Sequence, residues 1–393
     1  MQARTAVPRS HMDPDEVQAL LSASRYDVDY VVELLDLNDQ PVEDISEDVS
    51  LDGSLSWNGA ADLHRDASLK ISRDLAWDRD RLRLSMVVTA PLLGLTATFH
   101  RAVLLVTRPT QTVTDARFSD GRGGVHLAEA WECKAWDKMR LLRDPAGRSW
   151  ATAWTETAQT TFYGQEARRL LSASPWTGPV LVHPDLELVL LTQPYVWLND
   201  GAISWARILN ELSGAAGGAK AWVDEVGALH LDPIVDAATR PADWYLGDDE
   251  DTIIGPQRTR TLDLGAIPNR WRFVAQNFPR TPVLHDGIYE PEPNESIGPA
   301  SFAARGRWVQ NSNQILDAVS HEALVAQGDA QRLRDMAALA TRQITTSPLP
   351  LMGHDDLYDL DDAATGEPVR ALASTWTERW DGADTTLTVQ ELP

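Results

Sequence analysis

The chain has 393 residues and a formal net charge of −23, from 58 acidic and 35 basic side chains. Its length exceeds the roughly 250–300 residues at which one hydrophobic core stops growing, which predicts two to four domains or subdomains. So strong a negative charge argues against a protein that grips nucleic acid phosphates, because like charges repel. The single cysteine, Cys133, excludes an internal disulfide and a cysteine-rich zinc site. No run approaches the ~18 apolar residues of a transmembrane helix.

Residues 1–25 are predicted to form an N-terminal arm. The segment DPDEVQALLSA allows one short helix, with Asp13 as its cap and Pro14 at its first position. We expect this helix to lie outside the main fold. The residues before it, MQARTAVPRSHM, lack the apolar region of a secretory signal.

Residues 26–148 are predicted to form a first β-domain. Short, partly alternating runs bounded by Asn, Asp, Gly or Pro predict strands, and they are YDVDYVVELLD, DISEDVSLDGSLSWN, LHRDASLKIS, DRLRLSMVVTA and TFHRAVLLVTRPTQTVTD. Their regular spacing favours a β-sandwich or barrel over βαβ units. Acidic residues crowd the turns between 36 and 48, and a solvated rim is the preferred interpretation. The segment VHLAEAWECKAWDKMRLLRDP then predicts a strand, a turn and a short helix.

Residues 149–254 are predicted to form a small α/β middle domain. TFYGQEARRLLSAS has a helical stripe of Ala167, Leu170 and Leu171. ISWARILNELSGAAGGAKAWVDEVGALHLDPI, at 203–234, predicts a helix followed by a hairpin. The helix has apolar residues at i, i+3, i+4 and i+7, which are Trp205, Ile208, Leu209 and Leu212. Asn199, Asp200 or Ser204 could cap it.

The hairpin of this segment is predicted from a period-2 pattern on both sides of a Glu-Val-Gly turn at 225–227. The pattern places Lys220, Trp222 and Asp224 on one face of the first strand, and His230 and Asp232 alternate with the leucines of the second. Residues 236–256 are interpreted as a linker or long loop. Its acidic run at 248–251 lacks the glycine and ligand spacing of an EF-hand, so a calcium loop is the weaker alternative.

Residues 255–393 are predicted to form a second β-domain with a C-terminal helix and closing strands. RTRTLDLGAIPNRWRFVAQN predicts two strands around a Pro-Asn turn, and residues 279–299 predict a surface loop. DAQRLRDMAALATRQIT, at 329–345, predicts the helix, with Leu333, Met336, Ala337 and Ala340 along one side. The predicted fold class is therefore α+β, mainly β, with two β-barrel or sandwich domains bracketing a small α/β domain.

The motifs of familiar chemistry are incomplete in this sequence. His321-Glu322 begins a zincin motif, but position 325 is Val rather than His. There is no G-x-S-x-G nucleophile elbow and no GKS or GKT phosphate loop, and DGRGGVH at 120–126 is better interpreted as a hairpin tip. Cys133 could act as a nucleophile only beside His126 or His183, and a buried inert thiol is the preferred interpretation.

Acidic residues and 15 tryptophans keep a glycan-degrading β-protein open as an alternative. So many carboxylate pairs could be proposed that their abundance selects none of them. Scattered tryptophans are more typical of core and interface anchors than of a sugar-binding platform. We therefore predict no enzyme activity, no catalytic residue, no cofactor and no metal site. Asp137 and Lys138 lie close to His126 and Glu129 in sequence, but no metal spacing links them.

Three segments, taken in order, resemble the tail hub proteins of long-tailed bacteriophages, which are relatives of the contractile-tail baseplate hub and of the hub portion of the type VI secretion spike protein. The first is VHLAEAWECKAWDKMRLLRD, after the first β-domain. The second is WARILNELSGAAGGAKAWVDEVGALHLDPI, similar to the family's helix, strand, glycine-containing turn and strand ending near a proline. The third is SPLPLMGHDDLYDLDDAATGEPVRALASTWTERWDGADTTLTVQ, similar to its Pro-Leu segment, short strand, hairpin and closing strand.

Two features depart from the family pattern. The glycine and aspartate that usually precede the closing strand are separated here, as Gly353-His354-Asp355-Asp356. The sequence up to Pro393 contains none of the peptidase, lysozyme or receptor-binding extensions that some relatives append. We therefore expect no cell-wall degradation.

The resemblance implies a structural tail-tip hub in the virion tail, assembled in the host cytoplasm. It implies a homotrimer whose two β-domains per subunit make a ring of six, which adapts a sixfold tail tube or distal tail protein to a threefold tip. The implied partners are the distal tail protein, the tape measure protein and a tip or fibre protein, with DNA only in transit through an acidic lumen. The alternatives are a distal tail protein or other tail ring component, and, from another class, a cell-wall glycan-binding or glycan-degrading β-protein.

Overall fold

A computed structural model describes residues 14–392 apart from 22, 24, 78, 117–125, 154–160, 192–193, 199–200, 202, 248–253, 263–266, 276–286, 312–313, 317, 319–320, 338–339, 362–367 and 381–383. The predicted cap Asp13, the acidic run at 248–251 and most of the predicted hairpin tip at 120–126 lie outside the described residues. Among the helices of the described part, none is long and apolar enough to cross a membrane.

The first part of the chain forms one helix and then antiparallel strands. Its elements are α1 (Pro14–Leu21), β1 (Asp27–Leu35), β2 (Pro41–Asp44), β3 (Val49–Asn58), β4 (Arg65–Ile71), β5 (Arg81–Ala90), β6 (Leu95–Ala116), β7 (His126–Asp137) and α2 (Arg140–Arg143). All five predicted strand runs are present, as β1, β3, β4, β5 and β6. The predicted strand, turn and short helix at 125–145 are β7 and α2.

The middle part alternates short strands with helices. Its elements are β8 (Trp150–Ala151), β9 (Thr161–Phe162), α3 (Tyr163–Ala173), β10 (Val180–Val182), α4 (Pro184–Glu187), β11 (Leu190–Leu191), β12 (Val196–Trp197), α5 (Trp205–Ala215), β13 (Trp222–Val223) and β14 (Leu229–Leu231). The two predicted helices are α3 and α5, and their apolar stripes are buried. The hairpin is confirmed as well, since β13 pairs with β14 in antiparallel orientation.

The last part returns to strands around one long helix. Its elements are β15 (Trp244–Gly247), β16 (Ile254–Leu262), β17 (Phe273–Ala275), β18 (Ile288–Tyr289), α6 (Phe302–Arg305), β19 (Gln314–Leu316), α7 (His321–Ala337), β20 (Ala340–Thr346), β21 (Leu357–Asp361), β22 (Val369–Arg379) and β23 (Thr385–Glu391).

A 13-stranded sheet runs through both β-rich parts of the chain. Its order is β16-β20-β23-β22-β3-β4-β7-β6-β5-β1-β2, and β21 and β15 branch from β22. The two parts join where β22 pairs with β3, with Trp376 opposite Trp57. The mainly β class is confirmed, and the domain boundaries at 25, 148 and 254 stay a prediction.

The described residues build three hydrophobic cores. The largest takes side chains from both parts of the main sheet, including Leu55, Phe99, Tyr358 and Leu387. The second lies among α3, α5 and the hairpin and includes Leu170 and the apolar stripe of α5. The third is small and lies under α7. The middle part thus has its own core, while the two β-rich parts share one.

Three local predictions are wrong, and a fourth is confirmed. Helix α1 does not lie outside the main fold, because Leu20 is fully buried in the largest core. The predicted helix at 329–345 is displaced: α7 starts eight residues earlier, and residues 340–346 form β20 between β16 and β23. The predicted linker contains β15. The prediction of a surface loop is confirmed in its described part, because residues 287–299 have only the two-residue β18 as regular structure and all but Pro291 and Asn294 are at least partly exposed.

The displaced helix has a physical explanation. Ala340 and Ile344 are four residues apart and continue the helical stripe of α7, but they also fit the period of two that buries alternate residues of β20. Pairing of β20 with a strand on each side decides between the two patterns.

Candidate functional site

The α5 helix and its hairpin lie where the middle part meets the main sheet. The Ser204 hydroxyl caps α5 by accepting from the backbone N–H of Arg207 at 3.2 Å. Strand β14 also pairs in parallel with β10, so the hairpin is fixed on one side by backbone bonds. Its predicted polar face is not solvated, because Asp224 and His230 are buried. The hairpin is therefore packed on both faces.

Asp224 shapes the turn of this hairpin. One carboxylate oxygen accepts from the backbone N–H groups of Val226, at 3.0 Å, and Ala228, at 2.8 Å. The other lies 2.9 Å from Nε2 of His230. Gly227 has a φ of +88°, in the left-handed region that favours glycine. The turn thus presents its carbonyl groups in one fixed arrangement.

Lys138 connects this turn to the main sheet. Its Nζ is fully buried and donates to Asp39 Oδ2 at 2.5 Å, to the Thr177 carbonyl at 2.7 Å and to the Gly227 carbonyl at 2.9 Å. The second Asp39 oxygen accepts from Arg81 at 2.6 Å. Burial lowers the pKa of Lys138, and the Asp39 carboxylate acts against that shift. Three acceptors around one ammonium satisfy all of its donors.

Arg65 holds the other side of the hairpin. Its guanidinium donates to the Val223 carbonyl and to Glu225 Oε1, each at 2.5 Å. The backbone N–H groups of Arg65 and Met139 donate to Asp137, at 2.8 and 3.0 Å. Burial raises the pKa of Asp137 to about 6. We call the contacts of Arg65 and Lys138 with the residues 223–227 the hairpin clamp.

A column of stacked rings continues from the hairpin into the main sheet. His230 stacks on Trp222 with centroids 4.2 Å apart, and Trp222 stacks on His354 at 4.5 Å. His354 meets the edge of Trp57 at 5.7 Å. His64 lies edge-on to His354 at 4.9 Å, and burial lowers its pKa to about 3. These aromatic contacts join the second core to the first.

A buried ion pair lies farther along the main sheet. Arg101 on β6 donates to Glu378 on β22 at 2.7 Å, and both side chains are 1% exposed. Tyr30 on β1 donates its hydroxyl to the other Glu378 oxygen at 2.8 Å. Arg101 also bonds the Pro350 carbonyl at 2.7 Å and lies over the Trp376 ring. The sheet therefore folds over, so that β1 and β6 face β22.

These contacts fix positions and contain no activated nucleophile. Cys133 is buried, its pKa is raised to about 11 by burial, and its thiol donates to the Trp131 carbonyl at 3.5 Å. Of its two candidate partners, His183 caps α4, and the side chain of His126 lies outside the described residues. In the described part of the chain, no group of three or more His, Cys, Asp or Glu side chains is placed to hold a metal ion.

Sequence reasoning found the hairpin but not the clamp. Asp137 and Lys138 were visible as neighbouring polar residues, yet their partners are distant in sequence: 99 residues separate Lys138 from Asp39. A basic residue within an apolar strand, such as Arg101 in FHRAVLLV, is the one local signal that a buried charge needs a partner.

By sequence, no family model and no curated protein matches the chain. By structure, it is similar to a tail protein from Neisseria meningitidis, at a TM-score of 0.56 and 13% identity over 92% of this chain and 96% of that one. It is also similar to the 43 kDa tail protein of prophage MuSo2 from Shewanella oneidensis, at 0.53 and 12% identity over 92% and 97%. A prophage tail protein from Listeria monocytogenes matches at 0.50 and 10% identity over 92% and 94%.

The chain therefore has the fold of phage tail proteins. All three neighbours match along almost their whole length. The likeness to tail proteins that the sequence indicated is confirmed at the level of the fold.

Proposed function

We propose that this chain is a structural hub of a phage tail tip. It assembles as a homotrimer in the virion tail, and its two β-rich parts per subunit supply six similar β-domains to one ring. The ring adapts the sixfold tail tube or distal tail protein to a threefold tip. The partners are the distal tail protein, the end of the tape measure and a tip or fibre protein, and DNA passes through the centre.

One observation carries this proposal: over 92% of the chain, across both β-rich parts and the part between them, the fold is that of tail proteins. Two further features support it. The two β-rich parts are joined edge to edge by β3 and β22, so one subunit can occupy two adjacent places in a ring. The net charge of −23 suits a lumen wall that DNA must pass without sticking.

The contacts at the hairpin support a structural rather than a catalytic role. Buried charges paired across separate elements keep the middle part in one orientation on the main sheet, which is what a ring subunit needs. The proposal includes no enzyme activity, no cofactor and no metal.

The test is the mass and symmetry of the purified chain, by light scattering and negative-stain class averages. Threefold rings with an open centre are the expected result. Sixfold rings would instead favour a distal tail protein or another ring component. A monomer at every concentration, and also in assembled tails, would contradict the proposal. A glycan-binding screen would then test the alternative of a cell-wall glycan-active protein.

A further inference from the structure

The two ends of the main sheet are strands with one open edge. Among the described residues, β2 pairs only with β1, and β16 pairs only with β20. All four residues of β2 are exposed, and so are the last four of β16, residues 259–262. An exposed edge presents unpaired N–H and C=O groups, which can pair with a strand of another chain.

The β2 end is acidic. Glu43 and Asp44 lie on the strand itself, and Asp36, Glu47 and Asp48 flank it. Among the described residues, Arg73 pairs with two of them, at 3.0 Å from Glu43 and 3.4 Å from Asp48. The acidic side chains outnumber this arginine, so the edge keeps a negative potential.

The β16 end is basic. Arg258 and Arg260 lie on β16, and Arg342 lies beside them on β20. One carboxylate, Glu391, is shared by two of them, at 2.7 Å from Arg260 and 2.5 Å from Arg342. Residues 254–346 contain ten arginines and nine acidic residues, whereas the rest of the chain has 25 basic and 49 acidic residues. At the described part of this edge three arginines meet one shared carboxylate, and Arg342 is buried while Arg260 is exposed, so the edge is positive on an otherwise acidic molecule.

We infer that the β2 edge of one copy docks against the β16 edge of the next copy. The inference rests on the proposed ring and names the surfaces that close it. Two β2 ends repel each other, and so do two β16 ends, so the charges select the contact between unlike ends. Contacts between unlike surfaces run head to tail, and they generate a ring when the rotation closes.

The exposed runs also agree in length, since four residues of β2 face four of β16. Short length, Pro41 and acidic side chains protect β2 from pairing with arbitrary strands. A strand that bears arginines removes the electrostatic part of that protection. The edge of β15, made of Trp244, Tyr245, Leu246 and Gly247, has no charged side chain to complement.

A charge-swap cycle in the full chain tests the inference. The variants are Glu43→Arg, Arg260→Glu and the double variant, and the readout is the association constant from light scattering and sedimentation at one fixed salt concentration. Each single variant is expected to weaken association about tenfold or more, because it brings like charges together. The double variant restores an opposite pair at every contact and should recover most of the loss.

Matched controls separate this contact from overall repulsion. Arg143 and Asp144 are exposed neighbours at the end of α2, so Arg143→Glu and Asp144→Arg make the same changes in net charge elsewhere. Overall repulsion predicts that Glu43→Arg strengthens association and Arg260→Glu weakens it. The edge contact predicts that both weaken it, and that the controls follow net charge alone.

A cross-link gives a second readout that also captures weak association. In the variant Val42→Cys/Thr259→Cys, a short bismaleimide should link successive copies, and neither single cysteine should do so, because like ends do not meet. If threefold rings form equally well in all the charge variants and the double-cysteine variant does not cross-link, this interface is wrong. The proposed hub is then unaffected. If the wild type does not associate and the double-cysteine variant does not cross-link, both this interface and the proposed hub are contradicted.

Discussion

Arg101 and Glu378 form a buried ion pair that connects β6 with β22, 277 residues apart in sequence. Removal of one partner leaves the other charge buried without compensation, and this typically costs about 3–5 kcal/mol. Replacement of both by apolar residues of similar volume costs much less, because no charge is then left in the core. The pair therefore contributes more to the specificity of this strand arrangement than to its net stability.

We expect Glu378→Ala to lower the free energy of unfolding by about 3–5 kcal/mol. Urea unfolding followed by tryptophan fluorescence measures it. The control is Asp62→Ala, which removes the carboxylate of an exposed pair 3.1 Å from Lys220 and should change the value by less than about 1 kcal/mol. Arg101→Met/Glu378→Leu should recover much of the stability, and a double variant as unstable as the single would contradict the explanation.

His64 makes the stability of the chain depend on pH. Burial, and then electrostatic interactions with His354, Arg65 and Lys220, lower the pKa of His64 from 6.5 to about 3, while Asp355 acts in the opposite direction. The unfolded chain thus binds a proton at His64 more tightly than the folded chain. The contribution of His64 to stability is complete above pH 6.5 and is lost as the pH falls toward 3.

We expect His64→Phe to lose less stability than the wild type between pH 6.5 and pH 4, a window that follows from the two pKa values of His64. The difference between the two slopes should approach about 1.4 kcal/mol per pH unit at most, the value for one proton. Parallel slopes would argue against a neutral, buried His64.

The pH dependence that Asp137 adds to stability has the opposite sign. Its pKa is raised to about 6 in the folded chain, so its contribution to stability is lost as the pH rises from 4 to 6.

The α5 helix and its hairpin form the element that sequence predicts best. The apolar stripe, Ser204 as the cap and the turn at 225–227 are all local signals, and the structure has each of them. Burial of Asp224 and His230 was not predictable, because the strand period assigns them to a solvated face. Their burial depends on Arg65 and Lys138, which arrive from another part of the sheet.

Gly227 offers a test of the hairpin clamp. A Cβ there would lie 3.1 Å from Lys138 Cδ and 3.2 Å from Val103 Cγ2, in a backbone conformation with φ of +88°. Gly217 has a similar φ of +80° but open space around it. We expect Gly227→Ala to destabilise the chain by about 1–3 kcal/mol, and clearly more than Gly217→Ala.

The same free energies of unfolding, together with hydrogen exchange of residues 222–231, measure the effect. Because crowding is the feature that differs between the two glycines, equal losses would mean that backbone conformation alone is responsible. Faster exchange confined to the hairpin in Gly227→Ala would place the loss at the clamp rather than in the whole molecule.

At the scale of the whole chain, the sequence shows two β-rich parts but not that they share a sheet. Strand periods reveal which residues of β3 and β22 face a core. They carry no information on which strand pairs with which over more than 300 residues. The edges that the sheet leaves open, at β2 and β16, likewise follow from the complete strand order and not from any local pattern.

The shared sheet predicts that the two β-rich parts unfold together. Trp57 is 1% exposed and stacks on Trp376 across the junction, with centroids 6.4 Å apart. Trp57→Ala should therefore cost about 3–5 kcal/mol, and hydrogen exchange should accelerate in β5 and β23 alike, since both strands belong to the same core. Trp308→Ala is the control, because Trp308 is 41% exposed and stacks on Phe302, which is itself exposed. Acceleration limited to β3 and β4 would mean that the parts are independent domains in contact. Acceleration throughout the sheet would mean that the chain cannot open at one β-rich part without loosening the other.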